Sequence, residues 1–164
     1  MIKLSLLETQ IQQLYDELEI DDTLDMDMYS IASKLNIRLV FWKRRSCATT
    51  ISSVHHIFIN TDSDVIEQWY DFAHELGHIV RHFGNQAKMP DSFLFYQEKQ
   101  ANNFAEHFLV PTFKLNQLVM PTSRREATRY IMSLFPASKE TAKRRLKQYT
   151  LNQYEEECRS YDFM

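Results

Sequence analysis

The feature that most constrains this chain is the string His74-Glu75-Leu76-Gly77-His78, which lies within a helical pattern of apolar residues. Two histidines four residues apart project from one face of a helix, so both imidazoles can reach a single zinc ion. The glutamate between them can act on a zinc-activated water as a general base. The helix is predicted to follow the N-cap cluster at 61–64 and to end at Gly84, since its apolar positions repeat at helical spacing: Trp69, Phe72, Ala73, Leu76, Ile79, Val80 and Phe83.

A catalytic zinc site needs a third protein ligand, and Glu98 is the candidate. It lies 20 residues after His78, a separation found in HExxH peptidases that use a glutamate ligand. It belongs to a second predicted helix that spans Phe93 to Val110. Apolar residues flank Glu98 on that helix, so we expect its carboxylate to point into the protein, where a cation or a metal offsets the cost of burial. These residues are Ala101, Phe104, Phe108 and Leu109.

Two other interpretations of the motif remain open at this point. The longer zinc pattern HExxHxxGxxH does not apply, because Gly84 takes the place of its last histidine, and His82 is then a supporting or surface residue. An ordinary amphipathic helix would also show a solvated polar stripe here, made of Glu67, Asp71, His74, His78 and His82. A third ligand decides between a metal site and such a stripe.

Several polar residues near the motif have roles that the sequence leaves open. Asp71 precedes the first histidine by nearly one turn and can accept its free ring N–H, or can lie exposed. Tyr70 and Tyr96 can donate to a developing oxyanion, although packing is the simpler role for both. His55 and His56 alternate on a predicted strand, so they face opposite sides and cannot act as a pair.

The remaining chain predicts an α+β protein with a small, mostly antiparallel sheet. Short β-branched and aromatic runs predict strands at Ile37 to Trp42 and Val54 to Asn60, with a third at Ala48 to Ser52. A second short helix should stop near Asn36, which tolerates left-handed geometry, and short helices should fill Thr112 to Tyr149 with breaks near Pro121 and Pro136. A first amphipathic helix is predicted from Leu4, Leu7, Ile11, Leu14 and Leu18.

Composition excludes several classes of protein. With 2 Gly in 164 residues, no glycine-rich phosphate loop can be written, and a net charge of -3 gives no overall attraction for nucleic acid or anionic membranes. Two distant cysteines and the lack of a signal peptide or a long apolar run predict a cytoplasmic protein without membrane contact. Cys47 is expected to be a small buried residue rather than an inhibitory thiolate at the zinc.

Three separated motifs resemble the ImmA/IrrE family of metallopeptidases. They are the His74–His78 string, the preceding strand Ile57-Phe58-Ile59-Asn60, and Glu98-Lys99-Gln100-Ala101-Asn102-Asn103-Phe104-Ala105 followed by Leu109-Val110-Pro111. The resemblance covers roughly Ile31 to Tyr149 and is closest to the short ImmA-type antirepressors of phages and mobile elements. Gln100 departs from the second glutamate that many relatives carry, which favours Glu98 as the ligand.

The resemblance implies a zincin-like fold and a specific activity. His74, His78 and Glu98 would be the zinc ligands, Glu75 the general base and acid of peptide hydrolysis, and Asn102 a supporting residue. An edge strand beside the active-site helix, here Val54 to Asn60, would hold extended substrate by backbone pairing. The substrate would be a cognate helix-turn-helix repressor, whose cleavage derepresses phage or mobile-element genes, and an activator protein can be required. A stress-response regulator of the same family is the alternative.

A basic segment lies at residues 122–149, where eight Lys and Arg accompany two Glu, giving a local charge of +6. Two helices joined by a turn at Phe135-Pro136-Ala137-Ser138 resemble a helix-turn-helix, which would allow DNA contact. Solvated faces or partner contact are favoured, because the net charge is negative and base-reading side chains cannot be identified. A non-catalytic DNA- or repressor-binding module is the rival function. The basic residues of this segment are Arg124, Arg125, Arg129, Lys139, Lys143, Arg144, Arg145 and Lys147.

We expect one metallopeptidase domain at 1–149 and an acidic tail at 150–164.

Overall fold

A computed structural model describes residues 2–81 and 91–161 and confirms the α+β class. The predicted helix end at Gly84, and His82 with it, lie outside these residues. In chain order, the elements are α1 (Leu6–Glu17), α2 (Met28–Lys34), β1 (Ile37–Trp42), β2 (Cys47–Ile51), β3 (Val54–Asn60), α3 (Val65–Arg81), α4 (Asp91–Leu109), α5 (Thr112–Leu115), α6 (Arg124–Leu134) and α7 (Lys139–Tyr161).

The chain divides into two compact units. The terminal unit joins both ends of the chain, Met1–Leu24 and Val110–Met164, and the central unit comprises Asp25–Leu109. The central unit holds the sheet with α2, α3 and α4, whereas the terminal unit holds α1 and α5 to α7. The single domain at 1–149 stays a prediction.

The sheet of the central unit is mixed, so the expected mostly antiparallel arrangement is wrong. The strand order is β1-β3-β2, in which β2 pairs antiparallel with β3 and β1 pairs parallel with it. Ser52 and Ser53 join β2 to β3 with φ of 49° and 66°, the backbone of a tight two-residue hairpin. Alternation along a sequence identifies strands but not their neighbours. The sequence therefore does not predict that β3 lies between β1 and β2, which are consecutive in sequence.

The core of the central unit lies between the sheet and the face of α3 that carries no histidine. Ile57 and Ile59 on β3 are fully buried, as are Phe72 and Leu76 on α3. The helix packs against β2, β3 and α4. Helix α2 stops just before Asn36, whose φ of 55° fits its predicted tolerance of left-handed geometry.

A buried polar cluster connects the first and last helices of the terminal unit. Ser5 caps α1 through a reciprocal bond with Glu8, whose side chain is 4% exposed. The Thr112 hydroxyl donates to this carboxylate, and Nη2 of Arg145 lies 4.0 Å from it. Arg145 is fully buried, so it does not contribute to the exposed charge of the basic segment at 122–149.

The two predicted basic helices are confirmed, but the acidic tail is not a separate segment. Helix α6 begins after Pro121 and ends before Pro136. Helix α7 continues through 150–161 rather than stopping at Tyr149, because no Pro or Gly interrupts it and its last turns contain an ion pair between Arg159 and Glu155. No described helix is long and apolar enough to cross a membrane.

Candidate metal centre

Helix α3 places the two motif histidines side by side. The Nε2 atoms of His74 and His78 lie 3.0 Å apart, and the two rings meet at 78°. The rings are partly buried, with 17% and 11% of the side chains exposed. One helical turn separates the residues, so the local backbone alone brings these nitrogen atoms together.

Helix α4 places the Glu98 carboxylate in contact with both imidazoles. Its carboxylate oxygens lie 3.3 Å from Nε2 of His74 and 3.2 Å from Nε2 of His78. The side chain is 52% exposed, so the expectation that it points into the protein is wrong, and the cost of burying a carboxylate does not explain its place.

The close approach of α3 and α4 depends on Gly77. A Cβ atom at this position would lie 2.9 Å from Cδ1 and 3.2 Å from Cβ of Phe104 on α4. The first distance is shorter than carbon atoms tolerate, so a larger residue would force the helices apart. The glycine inside the motif therefore sets how near α4 can bring its carboxylate.

Asn102 orients the first histidine, as its predicted supporting role requires. Oδ1 of Asn102 lies 2.9 Å from Nδ1 of His74 and also accepts from the hydroxyl of Tyr70 at 3.1 Å. An Nδ1–H donor leaves Nε2 without a proton and free to bind a metal. Asp71 does not take this position, because its carboxylate accepts from Ser46 instead.

Glu75 lies beside the cluster in a partly buried position. Burial raises its pKa to about 7, and the carboxylates of Glu98 and Asp71 act in the same direction. A hydrogen bond from the backbone N–H of Ala48 and the charge of Arg45 lower the pKa in part. A carboxyl group with such a pKa can accept and return a proton near neutral pH.

Strand β2 lies next to Glu75, which corrects the expected edge strand. Val54 to Asn60 forms β3, which is paired on both sides, so its backbone cannot receive a further strand. Ala48 on β2 reaches Glu75, and among the described strands β2 has a partner only in β3. Cys47 on the same strand has a pKa raised by burial and by Glu75, which favours the uncharged thiol.

The loop between β1 and β2 contributes contacts that the sequence did not indicate. The hydroxyl of Ser46 accepts from the backbone N–H of Asn60, and the indole of Trp42 donates to the carbonyl of Arg45. These bonds hold Arg45 in its place relative to Glu75. No motif or spacing marks a loop serine or arginine for such a role.

The remaining candidates make contacts with residues outside the cluster. Tyr96 is exposed and stacks obliquely on Phe93. His55 bonds to Thr50 and is exposed, whereas His56 is partly buried and bonds to the carbonyl of its own strand. The two strand histidines therefore do not act as a pair, as expected.

The donor set fits a zinc ion. One ligand atom each from His74, His78 and Glu98 lie within 4.8 Å of one another. Ligands at about 2.1 Å in a tetrahedral site are separated by about 3.4 Å, close to the 3.0–3.3 Å between these atoms. Two imidazoles and one carboxylate form the donor set of hydrolytic zinc sites that leave a position open for water.

A helix that carries HExxH and receives a glutamate ligand from the next helix is an arrangement typical of metallopeptidases. The site of this chain is therefore of the metallopeptidase class. The chain belongs to the peptidase family M78, described as the IrrE N-terminal-like domain, which matches residues 32–147.

Two relatives come from Bacillus subtilis (strain 168). The chain is 38% identical to the phage-like element PBSX protein XkdA over 146 residues, which covers 89% of this chain and 74% of XkdA. It is 37% identical to the uncharacterized protein YqaB over 143 residues, which covers 87% of this chain and 83% of YqaB. The resemblance seen in the sequence is therefore confirmed at the level of the family.

Proposed function

We propose that this protein is a zinc-dependent endopeptidase of zincin-like fold that cleaves a cognate helix-turn-helix repressor. It would thereby act as an antirepressor that derepresses phage or mobile-element genes. The observation that carries the proposal is the juxtaposition of the His74–His78–Glu98 cluster with Glu75. Membership of the M78 family supports peptide hydrolysis, and the similarity to XkdA, a protein of the phage-like element PBSX, supports the setting of a phage-like element.

Each residue of the site has a distinct part in this mechanism. His74, His78 and Glu98 would hold zinc, and zinc when bound supplies Lewis-acid polarisation and lowers the pKa of water. Asn102 keeps the ring of His74 in the orientation and tautomer that expose Nε2. Glu75 accepts the proton of the attacking water and returns it to the leaving amine, so no net proton is consumed in the cleavage.

Strand β2 is the proposed site for the extended substrate. Because the Ala48 N–H donates to Glu75 rather than to β3, the outer side of β2 faces the site. Successive residues of a strand direct their backbone groups to opposite sides, so Thr50 shares that outer side with Ala48. A substrate segment that pairs there would lie beside Glu75 and the metal ligands.

The first test is zinc per chain by elemental analysis, which needs no known substrate. We expect about one equivalent in the wild type and a sharp drop in Glu98→Ala, whereas Glu67→Ala keeps its zinc. Glu67 is an exposed carboxylate on the same helix as the motif, so it controls for the loss of a charge. A folded wild type that neither contains zinc nor takes it up on titration would refute the metal site.

The second test is co-expression with candidate helix-turn-helix repressors, with an activator protein supplied where cleavage requires one. The wild type should remove the intact repressor band, and Glu75→Gln should keep zinc but leave the repressor intact. The rival function, a non-catalytic repressor- or DNA-binding module, predicts association without cleavage. Cleavage by Glu75→Gln at the wild-type rate would exclude the assigned mechanism.

A further inference from the structure

A cleft between α6 and α7 in the terminal unit is lined by five cationic side chains. It has a volume of about 840 Å³ and contains Arg124, Arg125 and Arg129 of α6 with Lys139 and Lys143 of α7. All five residues are exposed. No acidic side chain lines the cleft among the described residues.

The charges in this cleft are mostly without counter-ions. Of the five cleft cations, only Lys143 has an ion pair with another described residue, a surface contact of 3.6 Å with Glu140. Such a pair between exposed side chains contributes little, so the lysine remains available to a stronger anion. Five cations held close together repel one another, and a bound polyanion would relieve that repulsion.

The cations are arranged in rows along the helices. Arg125 and Arg129 are four residues apart, as are Lys139 and Lys143, which places each pair on one helix face about 6 Å apart along the axis. That distance is close to the axial spacing of every second phosphate on one strand of duplex DNA, which is twice the rise of about 3.4 Å per nucleotide. Arginine guanidinium groups also match the geometry of phosphate oxygens.

The rest of the lining favours nucleic acid over a protein partner. The other two lining residues are Thr128 and Met132, so the cleft offers a single large apolar side chain. Protein interfaces depend on buried aromatic and aliphatic anchors, whereas interfaces with DNA are polar and strongly positive. Thr128 is buried and its hydroxyl donates to the carbonyl of Arg124, so the phosphate contacts would come from the five cations.

We propose that this cleft binds the phosphate backbone of duplex DNA without reading its sequence. The inference does not depend on peptidase activity, because it concerns residues of the terminal unit alone. The cationic charge is local, which explains why a net charge of -3 for the whole chain does not reveal it.

The test is fluorescence anisotropy of a labelled 20-base-pair duplex with the full-length protein at increasing salt concentrations. Five phosphate contacts predict a slope of about -4.5 for log K against log salt, and the double variant Arg125→Gln and Arg129→Gln should reduce it to about -2.7. We also expect this variant to bind at least tenfold more weakly at low salt. Circular dichroism checks that the variant is folded.

The control variant carries Lys43→Gln and Lys147→Gln, which removes two exposed charges outside the cleft. It should bind like the wild type, and an equal loss in both variants would overturn the proposal by showing only general electrostatics. Polyglutamate serves as the probe for an acidic protein partner. Tighter binding of polyglutamate than of the duplex would overturn the proposal in favour of a protein ligand, and no binding of either would overturn it outright.

Discussion

The substitution Glu8→Ala should destabilise the terminal unit far more than an ordinary surface change. The Glu8 carboxylate accepts from the backbone N–H of Ser5 at 2.7 Å and from the Thr112 hydroxyl. It also forms an ion pair with Arg145, which is fully buried. Alanine would remove all three interactions and leave the guanidinium charge inside the protein.

The magnitude follows from these contacts. Breaking a buried ion pair by removing one partner costs about 3–5 kcal/mol. Loss of the capping box would cost a further 0.5–2 kcal/mol, roughly what the loss of other N-caps costs. Arg145 keeps bonds of 3.0 Å to the Val110 carbonyl and 2.8 Å to Gln148, and its distance of 4.0 Å from Glu8 is long for an ion pair. We therefore expect a loss of about 3–4 kcal/mol in the free energy of unfolding.

Urea denaturation followed by far-ultraviolet circular dichroism and by tryptophan fluorescence measures this loss. Both tryptophans, Trp42 and Trp69, lie in the central unit, so fluorescence reports that unit while circular dichroism reports all helices. With an m-value of about 2 kcal/mol/M, the circular dichroism midpoint should fall by about 1.5–2 M. Glu17→Ala, an exposed carboxylate at the end of α1, should shift it by less than about 0.3 M. A shift as small for Glu8→Ala would refute the reasoning.

Two further predictions concern the metal centre. Gly77→Ala should weaken zinc binding by forcing α3 away from α4, and the added substitution Phe104→Ala should restore part of the affinity. Competition with a chromogenic chelator measures the zinc affinity. Equal zinc affinity in Gly77→Ala and the wild type would contradict this prediction. Asn102→Ala should lower zinc affinity about 10–100-fold, because the ring of His74 loses its hydrogen-bond partner. The same competition assay checks it, with Asn103→Ala as the control, since Asn103 is exposed on the same helix; equal losses in both variants would show that Asn102 has no special role.

The secondary structure could be predicted where its cause is local. Strands β1 and β3 have the predicted bounds, and α2 stops just before Asn36, near the predicted position. Side-chain alternation and left-handed tolerance are properties of a few adjacent residues, so both features can be predicted locally. The order of the strands could not be predicted, since the position of β1 beside β3 depends on contacts distant in sequence. The burial of Arg145 was equally hidden, because its acceptors Glu8 and Val110 come from other parts of the chain.

The candidate site shows the same division. The pair of histidines follows from the helix period, and the position of Glu98 near them follows from the spacing of known peptidases. The sequence leaves open whether Asp71, which is near His74 along the same helix, accepts its ring N–H or lies exposed. The structure places Asn102 there, since a residue on the facing helix can approach the ring edge. Sequence distance is thus a poor guide to which acceptor an imidazole finds.

The motif determines two ligands, but the packing of α3 against α4 determines the third. Each residue added to a helix turns its side chain by about 100° and advances it about 1.5 Å. A one-residue shift of α4 would therefore turn Glu98 away from the imidazoles even though the motif itself stayed intact. The contact of Phe104 with Gly77 opposes such a shift, because another helix face would not place a side chain against the gap that glycine leaves. The glycine of the motif ligates nothing, yet it allows the helix packing that brings Glu98 to the two histidines.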